Sequence, residues 1–314
     1  MSCQPIRLGS NTKVYVTNVQ VINCIYLKGI LFIQLANCVN PSYIVAMSMR
    51  ILALGEIVGR PGIYTVKQGL KRLKEQESID LVIANGEGAT GGFGIGRNHS
   101  IYLKKIGVDV ITTGEKTFFK KDMVDQIGRS NHILRPANYP PKIPGRGWRT
   151  YEVNGKKVAV LNLLGQAEFS RVHLSNPFSF FDMIIEKIQS ITPFIIIQFH
   201  AATTAEKRAM FFHTDGKVSA VIGTHNKAIT ADAEVFPKGT GVITDNGRCG
   251  SIMSVGGLHK DVEIRKFLTA IPERSQECWD SLELQGALIT LSDEGKAESI
   301  KEIRFPIETP EEER

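Results

Sequence analysis

Residues 49–307 predict an α/β domain, and three observations carry that expectation. Short apolar runs alternate with longer stretches whose apolar residues fall at helical spacing. Glycine-rich turns separate them, 29 of the 314 residues being glycine. Ionisable residues then follow several of the apolar runs, at the place where an open α/β sheet puts its binding crevice.

Taken in order, residues 50–54 read as a short buried strand. Residues 62–76 set Ile63, Val66, Leu70 and Leu73 on one helix face. A strand over 81–84 runs into the loop GEGATGGFGIG, followed by a helix over 98–106 and a strand over 108–112. Asn154-Gly155 between the runs 148–153 and 157–163 is a strong hairpin signal. Helices are expected over 177–190 and 203–212, where Phe178, Phe180 and Phe181 read as core packing. Strands are expected over 194–199, 218–222 and 241–244, the last two completing a second sheet. Residues 284–305 read as a closing hairpin, and 308–314 as an acidic, solvated tail.

Composition narrows the function classes. The chain is 42% hydrophobic and 22% charged, ordinary for a globular protein. Its formal charge of +6 invites a nucleic-acid reading, but Arg7, Lys13 and Lys28 supply half of it within 1–48, a segment with no Asp or Glu. No interleaved aromatic-basic patch supports specific nucleic-acid binding. That leader also carries three of the five cysteines. It is read as a misassigned start, with Met47 or Met49 as the true beginning, or as a disordered segment. A lipoprotein peptide ending at Cys38 and a membrane helix are the competing readings. Lys28 and Gln34 interrupt the apolar stretch needed for either one. Cys249 and Cys278 have no motif spacing, which fits a reducing cytoplasm.

Glu56, Glu87 and Glu115 each fall within three residues of an expected strand end, His200 falls directly after one, and His225 three residues past another. Alone, such a glutamate is more often a cap or a solvated loop residue, and a lone histidine is more often structural, as His99, His132, His173, His213 and His259 are read to be. Five metal-capable residues at five strand ends, with Gly55, Gly86, Gly114 and Gly223 beside them, instead predict one convergent site.

Seven blocks in order make the pattern specific: GEIVGRPG (55–62), ANGEGATGGFG (84–94), TGEKTF (113–118), RPANYP (135–140), FHAATTAEK (199–207), TDGKVSAVIGTHNK (214–227) and PKGTGVITDNGRCG (237–250). Together they resemble the bacterial YmdB-type family of calcineurin-like phosphoesterases, which includes 2',3'-cyclic-nucleotide phosphodiesterases. The resemblance implies a four-layer αββα sandwich with two metals, usually iron or manganese, at the strand ends. It implies one metal position at Glu87, Glu115, His200 and His225, and a second at Glu56, Glu87, Gly88 and Lys227.

The departures fall mainly on the second position. The family's Asp is Glu56, the Asn after Glu87 is Gly88, and the second His of the paired His-x-His is Lys227. The family's Gly-Asn-His-Thr reads Gly114-Glu115-Lys116-Thr117, so Lys116 replaces the proton-donating His. An ammonium about 4 Å from a divalent ion is repelled by roughly 8 kcal/mol at an effective dielectric near 20. Lys227 is therefore expected in the missing metal's place, paired with Glu56 and Glu87, and Lys116 is expected to neutralise Glu115. These substitutions predict one divalent metal, manganese or iron, at most, and activity that is lost or strongly impaired. The alternative is a mononuclear phosphodiesterase. Arg135 and Asn138 are read as shaping the loop near the site, and Arg135 is also a candidate phosphate contact. The expected partner is a phosphate-containing small molecule. A protein partner and a homo-oligomer stay open, and no membrane association is expected.

Overall fold

The computed structural model describes residues 48–169 and 173–311, with four short strands before them. Those strands form two antiparallel pairs, Ile6–Arg7 with Lys13–Val14 and Asn23–Leu27 with Ile30–Gln34. Met1–Ser48 and Met49–Arg314 are separate compact units. The expectation of a misassigned or disordered leader falls largely outside the described residues, as does the end of the acidic tail.

The second unit begins with β1 (Met49–Val58), α1 (Gly59–Glu77), β2 (Leu81–Gly88), α2 (Arg97–Lys105), β3 (Val110–Thr112), α3 (Lys121–Arg129) and β4 (Ile133–Leu134). β5 (Trp148–Val153) and β6 (Lys156–Leu164) form the expected hairpin. Then come α4 (Pro177–Gln189), β7 (Phe194–His200), α5 (Thr204–Thr214), β8 (Ala220–Thr224), β9 (Glu234–Val235) and β10 (Gly241–Ile243). β11 (Arg248–Ser251), α6 (Lys260–Thr269), β12 (Leu282–Leu291) and β13 (Ala297–Ile307) close the chain.

These strands build two sheets, ordered β13-β12-β11-β1-β2-β3-β4 and β9-β10-β8-β7-β6-β5. Strand alternation sorts their side chains into layers. Met49, Ile51 and Ala53 of β1 pack with Val158, Val160, Ile196 and Ile222 of the other sheet between the two. The intervening Leu52 and Leu54 turn outward against Val66, Leu70 and Leu73 of α1. On the opposite outer face, Ala159, Leu161 and Leu163 meet Phe181, Ile185 and Ile188 of α4 and Met210 and Phe211 of α5. The result is the four-layer αββα sandwich.

The expected strand over 218–222 lies two residues later, at Ala220–Thr224, so His225 follows its end directly. α3, β4, β9, β11 and α6 had no expectation, and each has a weak sequence signal. α3 buries only Met123 and Ile127, and α6 only Val262. β11 (RCGS) lacks an apolar alternation but fills the gap between β1 and β12. Among the described residues no helix is long and apolar enough to cross a membrane.

Glycine at 223 is required by packing between strands. A Cβ there would lie 1.9 Å from the Thr244 carbonyl oxygen, part of a rigid backbone. Gly223→Ala is expected to cost about 3 kcal/mol of stability, measured by urea denaturation. A midpoint equal to wild type would show that the two strand ends can separate at no cost.

Candidate functional site

The parallel strands of both sheets end at the same edge of the sandwich, and their last residues face one another. β7 and β8 are in register with His200 opposite Thr224. β1 and β2 carry Glu56 and Glu87, and the turn after β3 carries Glu115 and Lys116. Asn162 of β6 ties the sheets together here, its Nδ2 donating to the carbonyls of Thr113 (2.8 Å) and Leu134 (3.0 Å).

Glu115, His200 and His225 converge, with one potential ligand atom from each lying within 4.8 Å of the others. Glu115 Oε2 is 2.8 Å from His200 Nε2 and 3.9 Å from His225 Nδ1, and the two imidazoles are 3.2 Å apart. Glu115 Oε1 pairs with the Lys116 ammonium at 2.7 Å. Phe169 walls the group, stacked on His200 at 6.0 Å and edge-on to His225 at 5.0 Å.

Asn85, which sequence reasoning missed, sets the His200 ring. The backbone N–H of Glu87 donates to Asn85 Oδ1 (2.8 Å), which fixes the amide and turns Nδ2 towards His200 Nδ1 (3.1 Å). In neutral His200 the proton then sits on Nε2 and is donated to Glu115. An ion taking Nε2 would require that proton on Nδ1, where Thr224 Oγ1 at 2.9 Å can accept it. The sequence signals for Asn85 were its place in the block 84–94 and its position two residues before Glu87.

Charge balance follows from burial. Burial pushes the Glu87 carboxyl up to about 7, with the neighbouring Glu115 charge adding to the shift. Burial would also raise Glu115, but His200 and Lys116 hold it well below the usual carboxylate range. Burial opposes the charge on His200, yet Glu115 raises the imidazole net. His225 goes the other way, lowered to about 3 by burial and then by His200. Lys116 is raised, because Glu115, Glu56 and Glu87 outweigh its burial.

Glu87 is fully buried and stands apart from the triad: its oxygens accept the backbone N–H groups of Gly114 (2.6 Å) and Lys116. Lys227 Nζ lies 3.2 Å from Glu56 Oε1. Pairing with both Glu56 and Glu87 was expected, but the amides of the turn after β3 hold Glu87 instead. Neither Glu56 oxygen makes a directed hydrogen bond among the described residues, so its contact with Lys227 is a Coulombic one. A Cβ at Gly88 would lie 2.7 Å from Glu56 Oε1. The longer carboxylate at 56 thus occupies the room that any side chain at 88 would need.

The donor set at Glu115, His200 and His225 fits a divalent ion, which takes nitrogen and oxygen ligands together. The set at Glu56, Glu87, Gly88 and Lys227 does not, since it offers two carboxylates, one held by backbone amides and the other by the ammonium, and no side chain at 88. Arg135 is buried, donating from Nη1 to the Pro136 carbonyl (2.8 Å) and from Nε to that of Pro144 (3.2 Å). This geometry gives it a loop-holding task.

The loop carrying His225 and Lys227 is strained and firmly anchored. Both residues have left-handed backbone, at φ 106° and 59°. The fully buried Lys207 Nζ pairs with Asp245 Oδ2 at 3.1 Å and also donates to Asn226 Oδ1. Asp245 Oδ2 accepts the Asn226 N–H at 2.9 Å, and Arg248 Nη1 donates to the Lys227 carbonyl. Sequence reasoning missed Lys207 and Asp245, although both lie within blocks it singled out.

A two-sheet sandwich with this cluster at its strand ends defines a calcineurin-like metallophosphoesterase domain. The chain belongs to the YmdB-like protein family, whose profile matches residues 52–303. It is 38% identical over 248 residues to the 2',3'-cyclic-nucleotide 2'-phosphodiesterase of Bacillus subtilis (strain 168), covering 79% of this chain and 93% of that one. A crystal structure of a novel phosphatase from Mycoplasma pneumoniae superposes with a TM-score of 0.79 at 31% identity, covering 84% of this chain and 96% of that one. A hypothetical protein from Thermus thermophilus superposes with a TM-score of 0.76 at 30% identity, covering 83% and 100%.

Removing the Lys207 charge would leave Asp245 buried and unpaired. Lys207→Met is expected to lose about 3–5 kcal/mol of stability. Lys207→Met with Asp245→Asn should recover a large part of that loss, as read by chemical denaturation. Equal losses in the single and double variants would rule out an energetic role for the pair.

Proposed function

We propose that this metallophosphoesterase-family protein keeps one cation position, has lost the second together with the family's proton donor, and acts by binding a phosphate-containing ligand with hydrolysis absent or strongly impaired. The observation that carries this reading is the Lys227–Glu56 pair beside Gly88, with the ammonium 3.2 Å from the carboxylate. Glu115, His200 and His225 would hold one manganese or iron ion, which when bound supplies positive charge to polarise a phosphoryl oxygen. Thr224 Oγ1 would accept the Nδ1 proton that orients His200 for this, and Phe169 packs against both imidazoles.

Loss of the proton donor supports impaired turnover. General acid catalysis contributes about 10²–10⁴ in rate. Lys116 stands in the family's proton-donor position, and its neighbours raise its pKa above the ordinary lysine value, making it a weaker acid. Cys249 and Cys278 are free and buried, which fits a cytoplasmic setting.

A second reading, a working mononuclear phosphodiesterase on phosphate esters or 2',3'-cyclic nucleotides, is favoured by the closeness of Glu115, His200 and His225. Elemental analysis of the full chain, with bis-p-nitrophenyl phosphate hydrolysis assayed in added manganese, separates the two. About one metal per chain with negligible turnover is the expected result. Turnover abolished by His200→Ala would establish the second reading.

The vacated position also makes a prediction about stoichiometry. Glu56→Asp, Gly88→Asn and Lys227→His together should add a second metal equivalent. Gly88→Asn alone should displace the Glu56 carboxylate, which its Cβ would approach to 2.7 Å, without adding a metal equivalent. Unchanged metal content in the triple variant would mean that other residues exclude the second ion.

A further inference from the structure

We infer that Phe93, with Phe119 beside it, is a stacking platform for the base of a nucleotide-like ligand whose phosphate sits at the Glu115–His200–His225 cluster. The inference rests on the reading that this cluster takes a phosphate ligand, and it adds the residues that would select for a base.

Phe93 belongs to the turn after β2 and Phe119 to the turn after β3, the two elements that deliver Glu87 and Glu115. The first turn is rigid. Gly92 N–H donates to the Gly88 carbonyl (3.0 Å), Gly94 N–H to that of Glu87 (2.6 Å), and Thr90 N–H to that of Gly94 (2.9 Å). Gly91, Gly92 and Gly94 have φ of 65°, 82° and 75°. The two turns touch at Gly94, where a Cβ would lie 3.0 Å from the Lys116 carbonyl oxygen and 3.2 Å from Phe119 Cβ.

From this frame Phe93 stands 43% exposed and Phe119 60% exposed, whereas neighbouring Phe118 packs against the core. Lys116 Nζ is 6.0 Å from the Phe93 ring centroid and 2.7 Å from Glu115 Oε1, which links the ring to the charged cluster. A cation–π contact explains one face of Phe93 but gives no role to Phe119. Two exposed phenyl rings on the turns that follow Glu87 and Glu115 have the character of a platform for flat, sequence-tolerant stacking.

Isothermal titration of the full chain with adenosine 3'-monophosphate and with ribose 5-phosphate, both in manganese, tests this. Wild type should bind the nucleotide more tightly. Phe93→Ala should weaken nucleotide binding about tenfold and leave ribose 5-phosphate unchanged. Phe119→Ala should act in the same direction, and Phe93→Trp should retain affinity with its indole fluorescence quenched by the nucleotide. Equal weakening for both ligands in Phe93→Ala, or no fluorescence response in Phe93→Trp, overturns the platform while leaving the phosphate site standing. No binding of either ligand to wild type overturns both.

Discussion

The strand ends depend on surrounding buried carboxylates with cations and N–H groups where water is scarce. Glu56 and Glu87 are buried almost completely and Glu115 largely so, and each has a different compensating partner. Glu87 is met by backbone amides, Glu115 by His200 and Lys116, and Glu56 by Lys227. Burial still pushes the Glu87 carboxyl up to about 7, whereas His200 and Lys116 hold Glu115 low against its burial. The polar architecture of the site is therefore largely an arrangement of cations and N–H dipoles around three acids. Lys116 and Lys227 supply part of that positive charge.

The contact between Lys227 and Glu56 is shaped by geometry as well as charge. The Glu56 carboxylate lies beside residue 88, where glycine places no side chain against it. Lys227 then reaches the same carboxylate from a loop whose backbone is left-handed at both 225 and 227. Such backbone costs on the order of 1–3 kcal/mol per residue and persists only where the surroundings enforce it. Lys207, Asp245 and Arg248 provide that enforcement.

Much of this was legible in the sequence, and the boundary of legibility has a physical cause. Apolar runs at 50–54, 194–199 and 218–222 announced themselves because strands in a four-layer sandwich are buried on both faces. Glu56, Glu87, Glu115, His200 and His225 were found because the ends of parallel strands meet at one edge. β11 was invisible because RCGS shows no alternation and owes its strand to the gap between β1 and β12. Asn85 and Lys207 were missed for a related reason. Their partners are set by the register of β2 against β7 and by the packing of α5 under the 225–227 loop, and local spacing encodes neither.

The contrast between the two halves of the site bears on what has been retained. A core position that had lost its task would tolerate repacking with ordinary side chains, at less cost than a buried charge. The Glu115–His200–His225 group has instead kept a fixed ring orientation, an aromatic wall and a strained loop held by a buried ion pair. Beside it, the Lys227 ammonium lies against the Glu56 carboxylate next to Gly88. The binding role proposed for this protein draws on the first group alone, because recognition of one phosphate group needs only one cation position.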